Sequence, residues 1–423
     1  MKRNTLWTLI SLLLIGVFAL TACGPAATPT VEPTQPPPPV ATEEPTEAPL
    51  TGHITLWHAW KENEIASLNE VIAAFQALYP EVTIDVLYTP FDDLRGRFET
   101  AAATGEGPTV LIGASDWGPA FLDAGLVADL TPYVSADLLA TINPAALGAV
   151  QYKGALIGLP QTIKGVLMFR NTLIIPEAPA TWEDLVAAAQ AATQGDVVGA
   201  DLEYGFFFSA AQLTATGGAL MDADGNPAFN NDAGVAWVNL LNSFKEAGPT
   251  EYYTDNDVNL FKAGLAGIII DGSWNAAALA EAIGAENLAI DPWPAFGDSH
   301  LSGYVQTENI YLGANVTGDD MEASLAFIEF FLSPEAQALL ADPTKAAHIP
   351  AVSGVEVTDP LQQQMIAAFA QGTAFPVIPE MGAYWGPMDT ALKSVFDEGA
   401  DPATALQTAY DAIVAAIAQM HGQ

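Results

Sequence analysis

Cysteine and positive charge are both scarce in this 423-residue chain. Its single cysteine is Cys23, so no disulfide can close within the chain and no cysteine-based metal site can be built. Twelve lysines and arginines stand against 50 aspartates and glutamates, a formal net charge of −38. Nucleic acids and anionic lipid surfaces are gripped by clustered basic side chains, which argues against either as a main partner. The five histidines, at 53, 58, 300, 348 and 421, are scattered. No His-Glu-x-x-His helix, Gly-x-Ser-x-Gly elbow or phosphate-binding glycine loop occurs. We therefore expect no metal, no cofactor and no enzymatic turnover. No repeat of fixed period is visible, which argues against a solenoid.

The N-terminus reads as an export signal over residues 1–22. Lys2 and Arg3 form a short basic region, and Thr5 to Leu20 is apolar but too short to span a bilayer permanently. It runs into Leu20-Thr21-Ala22-Cys23, which resembles the lipobox of bacterial lipoproteins, whose cysteine is lipidated. Residues 23–51 are mostly Pro, Thr, Ala and Glu, including Pro36 to Pro39. Such a composition cannot bury a core and favours extended polyproline, so the segment reads as a semi-rigid tether. Anchor plus tether would hold the body outside the cell membrane, attached to it only through lipid.

The body is long enough for about two domains. Thr51 to Trp57 alternates as a strand, and Ile65, Leu68, Val71, Ile72, Phe75 and Leu78 form one helical stripe that Pro80 stops. Val82 to Tyr88 alternates again, Asp92 to Ala103 reads as a helix, and the breaker Thr104 to Pro108 precedes the apolar run Thr109 to Ile112. This alternation predicts a largely parallel sheet covered by helices, with ligands beyond the carboxyl ends of its strands. Tyr152 to Pro160 reads as a hairpin, Gly165 to Phe169 as a strand, Thr181 as a helix cap, Glu203 to Ser209 as strand-like, Asn231 to Ala247 as a helix and Ala266 to Asp271 as a strand. Asp222 to Pro227 begins like a calcium loop, but proline sits where the loop needs glycine, and Ala233 where it needs glutamate. A plain turn is the better reading.

Several blocks together resemble the bacterial extracellular solute-binding proteins of sugar ABC transporters, in particular the maltose/maltodextrin-binding group. They include Ala102 to Pro108, Gly125 to Pro132, Tyr152-Lys153-Gly154, Thr181 to Leu185, Phe261 to Gly264, Asp271 to Trp274 and Phe375 to Trp385. The resemblance implies an α/β, two-lobed periplasmic-binding-protein-like fold of type II, with a hinge of crossing segments and a cleft between the lobes. On that layout the N-terminal lobe would comprise 52–162 plus 303–350, and the C-terminal lobe 163–302 plus 351–423. It also implies a monomeric receptor that captures an oligosaccharide, such as a maltodextrin, and hands it to a membrane permease.

A sugar presents apolar faces with a hydroxyl rim, so its receptor needs aromatic platforms beside groups that donate and accept hydrogen bonds. Trp274 follows the strand ending at Asp271, and Tyr384-Trp385 resembles a pair that lines the family's groove. Asp116 matches a polar ligand contact of the family, with Trp117 beside it. Trp57, Trp60 and Lys61 cluster at the end of the first strand, although Trp57 reads equally as core and Lys61 as a solvated helix-start charge. Phe207 matches an aromatic platform, but any of Phe206, Phe207 and Phe208 could be buried instead. Lys164 joins the candidate set as a departure, since the family has a glutamate there. Gly113 stands where the family has tryptophan, and Asp389 where it has arginine, so the sugar need not be a maltodextrin. A secreted carbohydrate-active enzyme or a surface carbohydrate-binding module would share the signal, the acidity and the aromatic content.

Overall fold

The computed structural model describes residues 49–422. The export signal, Cys23 and the tether as far as residue 48 lie outside the described residues. The last tether residues already belong to the body: Leu50 packs against a core, and the Thr51 hydroxyl donates to Asp319 at 2.9 Å.

The first elements follow the alternation in the sequence. They are β1 (Gly52–His58), α1 (Glu62–Leu78), β2 (Val82–Tyr88), α2 (Phe91–Ala103), β3 (Val110–Ala114) and α3 (Trp117–Asp123). β1 pairs with β2 and β3 in parallel. After a short hairpin comes β4 (Leu159–Asn171), a 13-residue strand. Then follow α4 (Trp182–Ala192), β5 (Val198–Glu203), α5 (Phe206–Ser209), α6 (Asp232–Ala247), β6 (Thr250–Glu251), α7 (Asn256–Lys262) and β7 (Ala266–Gly272). The chain returns through β8 (Tyr304–Leu312) and α8 (Gly318–Phe331) and ends in α9 (Trp385–Glu398) and α10 (Pro402–Met420). The main sheet runs β2-β1-β3-β8-β4-β7-β5-β6.

β4 and β8 make this a two-lobed molecule with crossing segments. β4 pairs with β8 over Leu159 to Gly165 and with β7 from Val166 onward. β8 in turn pairs with β3 over Glu308 to Leu312. One core gathers Leu56, Phe75, Ile112, Ile310, Phe327 and Phe331. Another gathers Met168, Leu202, Trp237, Ile270, Leu392 and Ile413. All residues of β3 and β7 are buried, as strands covered by helices on both faces must be, which is why they read as unbroken apolar runs.

Local chemistry sets the element ends. Thr181 caps α4 by accepting the Asp184 N–H at 3.1 Å, and Asn231 caps α6 through the N–H groups of Ala233 and Gly234. Asp222 Oδ1 accepts the N–H groups of Asp224 and Asn226, each at 2.9 Å, so this stretch is a turn closed by the Asp222 side chain. The strand expected over Glu203 to Ser209 does not form. β5 stops at Glu203 and the chain coils into α5. The three phenylalanines favour a strand locally, but a helical turn lets Phe206 enter the core while Phe207 and Phe208 stay half-buried. The strand expected from Gly165 likewise begins earlier, at Leu159, because β8 supplies partners for the preceding residues.

Candidate functional site

The crossing strands carry a buried polar centre. Glu308 on β8, 3% exposed, receives Lys164 Nζ at 2.9 Å, the Trp60 indole N–H at 2.7 Å and the Gln161 amide at 3.0 Å. Burial works to raise the Glu308 carboxyl, but Lys164, aided by His348 and the Trp60 N–H, outweighs it and holds the group below the usual carboxylate range. Lys164 also lies 5.6 Å from the centre of the Trp274 ring, within cation–π range. Burial pushes Asp116, at the start of α3, up to about 6 against the opposing pull of Arg95 and Lys164.

Beside this centre stands an aromatic wall. Phe207 on α5 lies 6.2 Å from Trp274 and 6.4 Å from Trp385, with planes tilted by 33° and 31°. Phe375 stacks on Trp385 at 6.0 Å and 23°. Trp274 owes its pose to glycine: a Cβ on Gly272 would fall 2.0 Å from the indole, so the ring can fold back over the end of β7 only because none is there. Phe207, Trp274 and Trp385 are each half-buried, which leaves ring surface to cover.

The remaining candidates lie elsewhere. Trp60, 2% exposed, meets the His348 ring edge-on at 4.9 Å and gives its N–H to Glu308, so it supports Glu308 from behind. Tyr384 is fully buried, its hydroxyl donating to the Gly225 carbonyl at 2.8 Å, so of the Tyr384-Trp385 pair only the tryptophan presents a ring. Trp117 is enclosed between Phe91 and Phe121 and lies over Gly113, where a Cβ would come 2.7 Å from its ring. Gly113 is therefore a consequence of Trp117. Gly113→Ala is expected to cost about 1–3 kcal/mol of stability in urea unfolding, because the enclosed indole has nowhere to move. Trp57 lies under Arg97, whose guanidinium is 4.9 Å from the ring centre, and Lys61 is an exposed helix-start residue. Neither touches the wall.

Sequence reasoning missed Glu308 and Phe375. Glu308 could have been noticed as the one charged residue in a strand bounded by Tyr304-Val305 and Ile310-Tyr311-Leu312, and Phe375 opens the block Phe375 to Trp385. Among the described residues no group of three or more His, Cys, Asp or Glu side chains could hold a metal ion. A flat apolar wall beside a charge-matched Lys164–Glu308 pair suits a ligand with an apolar face, a polar rim and little net charge.

The chain is similar to several known proteins. The profile of a family described as bacterial extracellular solute-binding protein matches residues 70–371. A maltotriose-binding protein of Pyrococcus abyssi is 27% identical over 364 residues, 82% of this chain and 78% of that one. A maltooligosaccharide ABC transporter solute-binding lipoprotein of Streptococcus pneumoniae is 26% identical over 296 residues, 64% of this chain and 68% of its own. The maltose/maltodextrin-binding domain of Bdellovibrio bacteriovorus, solved with maltotriose, superposes with a TM-score of 0.79 at 24% identity, covering 86% of this chain and 99% of that one, and so shares the fold.

Proposed function

This chain belongs to the bacterial extracellular solute-binding protein family, and from that premise we propose that it captures a neutral oligosaccharide in the cleft between its lobes and presents it to the permease of an ATP-driven importer. The observation that carries this reading is the wall of Phe207, Trp274 and Trp385 beside the Lys164–Glu308 pair on the crossing strands. The family is one of binding proteins, so the wall serves capture and release rather than turnover.

Two further parts of the reading rest on the sequence. Cys23, in its lipobox-like setting, would anchor the chain outside the cell membrane, and the tether would keep the body within reach of the permease. The lobes would comprise residues 52–162 plus 303–350 and 163–302 plus 351–423. The change of partner along β4 near residue 165 supports that division, with the molecule acting as a monomer that closes about its crossing segments.

Ring area of ~150 Å² at ~25 cal/mol per Å² gives at most about 4 kcal/mol per platform, against the about 8 kcal/mol of a micromolar complex. Two platforms can approach that before ordering costs are subtracted. Hydroxyl contacts then decide which sugar is kept, since an unmatched buried partner costs ~1–3 kcal/mol. Maltotriose is the first ligand to test, because relatives bind it. Lys164 and Asp389, with their altered charge, favour a different sugar or linkage. Calorimetric titration with maltotriose and other neutral oligosaccharides, paired with X-ray scattering, is expected to show micromolar binding and a smaller radius of gyration at saturation. No binding across that panel, or binding without compaction, would reject the reading.

A further inference from the structure

Five carboxyl groups converge behind the aromatic wall, at the ends of β5, β6 and β7 and the start of α7. They are Asp201, Glu203, Glu251, Asp257 and Asp271, each less than a tenth exposed. Asp201 Oδ1 and Asp257 Oδ2 are enclosed, with no hydrogen-bond partner among the described residues. A carboxylate buried without donors is costly as an anion, so Asp201 and Asp257 favour the protonated form.

Glu203 ties this cluster to the wall. Its Oε1 accepts the Gly205 N–H at 2.5 Å, and its Oε2 accepts the Tyr253 N–H at 2.9 Å. The Tyr253 hydroxyl in turn accepts the Phe207 N–H at 2.8 Å. The turn that presents Phe207 is thus held from both sides through one carboxyl group. Asp271 does the same locally for Trp274, accepting the Gly272 N–H at 2.5 Å and the Asn275 amide at 2.8 Å.

Resting on the proposed binding site, we infer that Glu203 is a positioning residue for the aromatic wall, and that the protons held by the acid cluster around it set how firmly Phe207 and Trp274 are presented to ligand. The groups around Glu203 are mostly acidic. Asp271 and Glu251 act on it directly, Asp257 and Asp201 belong to the same cluster, Asp255 acts on Asp271, and Asp389 and Asp92 act on Tyr253. The cations are Lys262, acting on Asp271, and Lys393, acting on Asp389. Burial first, then these neighbours, pushes Asp201 and Asp271 up to about 7, Glu203 to about 8 and Asp257 to about 9.

The sign follows. Each group has a higher pKa folded than unfolded, so the stability it contributes is full below the ordinary carboxylate range and is lost as pH rises through about 7 to 9. Rising pH places several negative charges in one enclosed space, and opening the loops that carry Phe207 and Tyr253 relieves their repulsion.

The test uses the full chain between pH 5.5 and 9, with Asp257→Asn as the always-neutral replacement, whose amide nitrogen takes the place of the unpartnered Oδ2, and Glu203→Gln as a second variant that keeps only one of the two acceptor oxygens. Hydrogen exchange of segments 204–208 and 252–254 is read by mass spectrometry, corrected for intrinsic rates, and maltotriose affinity is read in parallel. In the wild type, protection of both segments is expected to fall between pH 6 and 9, and affinity to fall about tenfold, the change that one unit of pKa difference between the held and released forms produces. D257N is expected to shallow both profiles, and E203Q, which gives up one acceptor for the Gly205 or Tyr253 N–H, to lower protection already at acid pH and to flatten both profiles. Flat wild-type protection, an E203Q profile as steep as the wild type's, or unchanged affinity while protection falls would each overturn the inference. If maltotriose fails to bind at any pH, the ligand reading fails, and the exchange profiles alone decide the role of Glu203.

Discussion

Trp274→Ala is expected to raise the maltotriose dissociation constant roughly 30-fold, and Trp385→Ala several-fold, with folding intact in both. On the proposed reading Trp274 is the central platform, for three features. It is half-buried, it folds over Gly272 at the end of β7, and it has both Phe207, 6.2 Å away, and the Lys164 ammonium, 5.6 Å away, beside its ring. Covering ~80–100 Å² of its remaining ring surface contributes about 2 kcal/mol at ~25 cal/mol per Å², which is the 30-fold. Trp385 already rests on Phe375 and Phe206, so less of its surface is left for a ligand. Alanine at 274 opens space beside a half-exposed ring rather than inside a closed core, which is why stability is expected to change little. Calorimetric titration reads the affinity and urea unfolding serves as the control. If both variants bind within twofold of the wild type, the wall is not the binding surface.

The second large effect concerns stability. Lys164→Met is expected to cost about 3–5 kcal/mol near neutral pH, because it leaves Glu308 charged and enclosed without its cation. Lys164 and Glu308 are 14% and 3% exposed, so solvent screens the pair weakly. The sign with pH is distinctive. In the wild type Glu308 is held below the usual carboxylate range, so the stability of the pair is present at neutral pH and is lost only in acid, as pH falls through that depressed value. In the variant the cation is gone and burial raises the Glu308 carboxyl, which can then take up a proton. The deficit should therefore shrink as pH is lowered from 7 toward 5. The double variant Lys164→Met/Glu308→Gln should recover most of the loss, since the oxygen of a neutral amide still accepts the Trp60 N–H and the Gln161 amide. Urea unfolding of the single and double variants at the two pH values is the measurement. A single variant as stable as the wild type, or a deficit independent of pH, would show that the pair does not hold the crossing strands together.

Much of this protein was legible in its residues alone. Alternation and helical spacing give β1, α1, β2 and α2 to within a residue or two, because each buries one face or stripe and its side-chain period records which, while β3, buried throughout, is given by its unbroken apolar run. The block pattern pointed to the two-lobed fold, and the position of Trp274 after a buried strand placed it at the carboxyl end of β7. The sequence could also name Lys164, Phe207 and Trp385 as residues of interest. It could not say that they meet, because the spacing between residues 164, 207, 274 and 385 carries no information about distance once β4 and β8 have threaded both lobes.

Tertiary structure alone decided which aromatic rings are open. Trp60, Trp117 and Tyr384 have the same chemistry as Trp274 and Trp385, yet each is enclosed by neighbours from distant parts of the chain: Phe331 and His348 around Trp60, Phe91 beside Trp117, and the turn at Gly225 against Tyr384. The phenylalanine run at 206–208 went from an expected strand to a helical turn for the same kind of reason, since Glu203 finds its backbone donors partly at Tyr253, 50 residues away. Composition and periodicity determine which side chains must leave water; whether a ring ends in a core or on a wall depends on what the folded chain brings against its second face, and that is a property of the packing alone.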